Sequence, residues 1–157
     1  MERLIADSVN ILREGDNIDL IYFWMDAGDL ICNKIRTDQP LTETELENLN
    51  KLTNLLKSIV LTEDIILYRG LTTEFNPLIG EHQFNALSPN LSTAETYGSN
   101  IIKVIVPKGT NAFYISAWEL IREEQEEQEE KEVLLLPGRF TLLTMENNSV
   151  TYKYSML

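Results

Sequence analysis

The chain has 157 residues, 43% of them hydrophobic and 24% charged, the make-up of one soluble globular domain with a sizeable core. Its formal net charge of −12 disfavours nonspecific contact with nucleic-acid backbones and anionic membranes, so a macromolecular partner is expected to present basic residues. The single Cys32 excludes an internal disulfide, and with His82 as the one histidine there is little material for a metal centre or a serine–histidine relay.

No apolar stretch approaches the roughly 20 residues of a membrane span. The start, "MERLIADSVNILREGD", lacks the apolar block of a secretory signal. The expected location is therefore cytoplasmic, in a host cell if the protein is viral or delivered.

In chain order, "NIDLIYFWMDAGDLICNKIRT" repeats apolar residues at Ile18, Ile21, Tyr22, Met25, Cys32 and Ile35, close to a helical stripe. Next, "PLTETELENLNKLTNLLKSIV" opens with a capping box, Thr42 with Glu45, and a staple of Leu41 on Leu46. Leu46, Leu49, Leu52, Leu56 and Ile59 then line one face of a second helix. After Thr62 the period shortens. "DIILYRG", "IIKVIVPKG", "NAFYI", "EVLLLPG", "FTLLTM" and "SVTYKY" are short β-branched or aromatic runs punctuated by Gly, Pro and Asn, which read as strands. Between the first two, "SPNLSTAETYG" holds a second capping box, Ser92 with Glu95, opening a short helix that ends near Gly98. A helical part (1–60) followed by a strand-rich part (61–157) in one domain reads as α+β.

The stretch from Glu119 to Glu132 holds eight glutamates against Arg122 and Lys131, half of the net charge. Read alone it is a solvated acidic face. In an extended strand, though, Glu130 and Glu132 point to one side and Lys131 to the other. Paired carboxylates at a strand mouth can divide labour, one stabilising positive charge and one accepting a proton. Arg69 ends an apolar strand and precedes Gly70, where a backbone can approach a ligand; its guanidinium suits bidentate phosphate contact, or a plain ion pair. By themselves Ser88 reads as a turn serine or a cleft donor, Tyr97 as a core aromatic, and Cys32 as a small core residue. Trp24 and Trp118 read as packing, and His82 and Asn33 as surface.

Taken together and in this order, "AGDLICNKIRT", "LYRG", "FNALSPNLSTAETYG", "IIKVIVPKGTNAFYI" and "EKEVLLLPG" resemble the ADP-ribosyltransferases of the arginine-serine-glutamate class, found among bacterial toxins and bacteriophage enzymes. The resemblance runs from about Ala27 to Met145. It implies a helical part packed on a split, mainly antiparallel β-sandwich that binds NAD as co-substrate, without a metal. "IIKVIVPKGTNAFYI" would be the central hairpin. Arg69 would bind a phosphate of NAD, and Gly70 would let the backbone meet the nicotinamide amide. Ser88 matches the last residue of the family's Ser-Thr-Ser motif, and Tyr97 an aromatic that packs on the nicotinamide. Glu132 would be the catalytic glutamate and Glu130 its upstream companion, a pairing that goes with arginine as acceptor in a basic host protein.

The chain departs from that pattern at Ala86 and Leu87, which stand where two hydroxyls are expected. A shifted match on Ser92 and Thr93 restores them at altered spacing. A second basic residue past the aromatic is replaced by Asn100. The resemblance therefore also admits a weak or inactive binding module, or an NAD glycohydrolase.

Overall fold

The computed structural model describes residues 1–72, 83–121 and 131–157. Three helices come first: α1 (Glu2–Leu12), α2 (Asn17–Arg36) and α3 (Glu43–Lys57). The start of α3 is the expected capping box. Thr42 Oγ1 accepts from the Glu45 amide at 3.1 Å, and Glu45 Oε1 accepts from the Thr42 amide at 2.9 Å. These satisfy two amides that a helix start leaves without partners. Leu52, Leu55 and Leu56 are buried. Leu46 is 50% exposed, so the core-facing row begins a turn later than the leucine spacing suggests. In α2 the buried row is Ile21, Trp24, Gly28 and Ile31, with Met25 48% exposed, a face rotated from the expected stripe. Lys34 of α2 and Glu45 of α3 form an ion pair at 2.7 Å that ties the two helices together.

The strands are β1 (Ile65–Leu71), β2 (Asn85–Leu87), β3 (Asn100–Val106), β4 (Ala112–Tyr114), β5 (Val133–Leu135), β6 (Gly138–Glu146) and β7 (Ser149–Met156), with short helices α4 (Leu91–Glu95) and α5 (Ala117–Ile121) between them. They form a four-stranded sheet in the order β1-β3-β7-β6 and a three-stranded sheet in the order β2-β5-β4. Each pair of these strands is antiparallel except β3 with β7. The helical part and both sheets share one buried cluster, from Leu4 through Leu52 and Leu56 to Phe113, Leu134 and Tyr154. Each large aliphatic buried there stabilises the fold by about 1.5–3 kcal/mol.

Two local expectations are corrected. β3 and β4 are not a hairpin, because they lie in different sheets. The turn between them is captured by the segment entering β1: Leu61 donates to the Thr110 carbonyl at 2.8 Å and accepts from the Gly109 amide at 2.9 Å. Asn111 Nδ2 adds a bond to the Ile59 carbonyl at 2.9 Å. Likewise, α4 does not open on a Ser92–Glu95 box. Its N-cap is Asn90, with no side-chain cap, and Ser92 already lies within the helix.

Candidate active site

Near the middle of the molecule the two sheets touch through a pair of backbone bonds. Tyr68 of β1 donates to the Ser88 carbonyl at 2.7 Å, and Ser88 donates to the Tyr68 carbonyl at 2.8 Å. Beside this bridge a cavity of about 610 Å³ opens. Arg69 and Gly70 reach it from β1, Ser88 from the end of β2, Tyr97 from the turn after α4, and Glu132 from the residue before β5. Five of the six residues singled out in the sequence therefore share one hollow. The sixth, Glu130, lies outside the described residues, as does His82.

The Glu132 main chain is held on both sides. Its amide donates to Ser116 Oγ at 3.1 Å, and its carbonyl accepts from the Ile115 amide at 2.9 Å. Ser116 is buried and also hydrogen-bonds the Tyr114 side chain. No motif points to Ser116; only the pairing of β4 with β5 brings it there. Lys131 lines the cavity together with Glu132, against the expected alternation of sides. The reason is local: β5 begins only at Val133, so the two residues do not follow a strand's pleat.

Arg69 is largely buried. Burial pulls its pKa down, while Glu132, then Cys32 and Asp29, favour the charged form and Arg36 opposes it. A guanidinium stays protonated through such a shift. A buried cation so placed prefers an anionic ligand over water.

Gly70 has a packing reason as well as a ligand-facing one. A Cβ there would run into the Ala94 carbonyl of α4, so α4 can lie against β1 only over a glycine. Ser88 is buried, and its hydroxyl is engaged locally, accepting from the Asn90 amide at 3.1 Å and donating to the Asn90 carbonyl at 3.2 Å. Tyr97 is 53% exposed, which overturns its reading as a core aromatic. Ala86, Leu87 and Thr93 also line the cavity, whereas Ser92 does not.

The opposite wall is α2. Met25, Gly28, Asp29, Cys32 and Arg36 line the cavity at intervals of three and four residues, one helical face. Asn33 is off that face. Arg36 gives the cavity a second arginine, from α2 and not from the segment past Tyr97. The same three-and-four spacing in the sequence would have found it, had polar residues been followed as well as apolar ones. Cys32 is half-buried with its thiol 3.8 Å from the Phe84 carbonyl, and burial raises its pKa, so the thiol stays protonated near neutrality. Trp24 packs on Phe84 with ring centres 5.4 Å apart, and Trp118 meets Tyr22 edge-on at 6.0 Å. Among the described residues three cations, Arg36, Arg69 and Lys131, thus face the cavity with Asp29 and Glu132, a local excess of positive charge in an acidic protein.

The split pair of sheets sharing one core with the helices matches the fold of the ADP-ribosyltransferase toxins. Among solved structures, C3stau2 from S. aureus with NAD gives a TM-score of 0.72 at 18% identity, covering 99% of this chain and 92% of that one. An ADP-ribosyltransferase from Clostridium botulinum gives 0.70 at 15%, covering 98% and 95%. C3larvin toxin, an ADP-ribosyltransferase from Paenibacillus larvae, gives 0.68 at 14%, covering 96% and 93%. No protein-family model matches the sequence, and no curated protein resembles it significantly.

Proposed function

We propose that the protein is a mono-ADP-ribosyltransferase that moves ADP-ribose from NAD to a protein acceptor, with arginine as the modified residue, and releases nicotinamide. The observation that carries this reading is the convergence of Arg69 and Glu132, from separate sheets, on one cavity. Its volume of about 610 Å³ falls within the range of sites for small molecules. The donor set also fits NAD. Two guanidiniums, Arg69 and Arg36, suit its diphosphate, the exposed Tyr97 ring suits a flat heterocycle, and Glu132 is left to face the ribose.

In this reading Arg69 and Arg36 fix the diphosphate, and Tyr97 packs on the nicotinamide. The Glu132 carboxylate hydrogen-bonds a ribose hydroxyl. It stabilises the positive charge that builds on the sugar as the nicotinamide bond breaks, an interaction strongest in the transition state. Glu130 accepts a proton from the incoming guanidinium. The acceptor needs such a base because its solution pKa lies above about 12. Ala86 in place of a hydroxyl favours a slow enzyme over a fast one. Action in the cytoplasm, of a host if the protein is delivered, belongs to the same proposal.

Incubation with labelled NAD and a cell lysate tests it. The native chain is expected to transfer label to protein, and Glu132→Ala to transfer at least about a hundredfold less, the scale of losing a dominant electrostatic group. Equal transfer by both proteins refutes the assignment. Nicotinamide release from NAD without an acceptor separates transfer from hydrolysis.

A further inference from the structure

A second hollow of about 860 Å³ adjoins the first, and Tyr68 and Tyr97 line both. Its walls are the end of α4, the turn into β3 and the turn between β6 and β7. Its charge is opposite in sense to that of the NAD cavity: among the described residues, Glu95 and Glu146 line it against one cation, Lys103. A diphosphate is therefore disfavoured here, and a positively charged occupant is favoured. Leu91, 43% exposed, adds apolar surface to its lining, as does the exposed Tyr97 ring. Hydroxyl and amide side chains, among them Thr96, Ser99 and Asn147, offer bonds to a peptide main chain.

We propose that this groove docks an extended, basic segment of the acceptor protein, with Glu95 and Glu146 as specificity-determining carboxylates. The inference rests on the transferase reading, since a macromolecular acceptor must sit where its reactive side chain can pass Tyr97 into the cavity. Neither carboxylate lines the NAD cavity. They act on which protein is modified and leave the chemistry on NAD alone.

The experiment uses a fluorescein-labelled synthetic peptide of lysines and leucines around one arginine. Three proteins are compared: the native chain, Glu95→Lys with Glu146→Lys, and a control with Glu14→Lys and Asp19→Lys on the helical part. By fluorescence anisotropy the groove variant is expected to bind at least about tenfold more weakly than native, as reversal of two ion pairs implies. The control, with the same change in net charge, binds as native does. Nicotinamide release from NAD, and label transfer to the small guanidine agmatine, stay at the native rate in both variants. No binding by the native chain, equal weakening in both variants, or no weakening in either overturns the groove assignment. Absence of nicotinamide release from the native chain refutes the transferase reading separately, because anisotropy requires no turnover.

Discussion

At the scale of single residues, Ser116 holds the Glu132 amide and so governs where that carboxylate stands. A hydrogen bond of this kind contributes a net ~0.5–1.5 kcal/mol. Removing it in Ser116→Ala is expected to lower kcat for label transfer about three- to tenfold while the KM for NAD stays near native, with Ser116→Thr recovering most of the loss. A rise in KM with a fall in kcat and in the urea midpoint would mark a purely structural serine. Residues whose type announces their chemistry were readable in the sequence: Arg69 at a strand end, Glu132 before an apolar run, Gly70 at a close approach. Ser116, Asp29 and Lys131 were not, and Arg36 was so only through its spacing on α2. Their place in the site follows from which elements meet, and a serine between strand and helix carries no sign of that.

At the scale of elements, the clearest sequence signals were those closed within a few residues. The Thr42–Glu45 box is local, and it stands as expected. The supposed hairpin of β3 and β4 and the cap at Ser92 failed because other partners won: Leu61 and Asn111 for the turn, Ser88 and Asn90 for the start of α4. Glu45 also links elements through Lys34. That hydrogen bond first, and then the cap, hold its pKa below the ordinary value of 4.5. Since the folded pKa is the lower one, the charge stabilises the fold above the unfolded value and ceases to do so as pH falls through the folded value. Glu45→Gln keeps a capping oxygen but loses the charge. Its urea midpoint is expected below native at pH 7, with the two midpoints converging as the solution is acidified below 4.5; a gap that persists in acid would assign the effect to the cap alone.

Across the whole molecule, the sequence disclosed the α+β order, because period-two runs and turn residues mark strands whatever their partners; the mainly antiparallel sheets were implied only by the family resemblance. It could not disclose strand order, which depends on contacts between distant segments. One such case is β7. It is an inner strand of its sheet, parallel to β3 and antiparallel to β6, and it buries Val150 and Tyr154. During synthesis on a ribosome, β1 and β3 can pair early, but β3 keeps a bare flank until the residues after 148 have emerged. Long-range pairing of this kind slows folding. A chain stopped at Asn148 is expected to show no cooperative melting transition and to bind a dye for exposed apolar surface; a sharp transition would mean that the fold stands without β7. Until β7 is made, the bare edge of β3 is a landing place for a stray strand of a neighbouring chain, so the window for misassembly closes as residues 149–156 emerge.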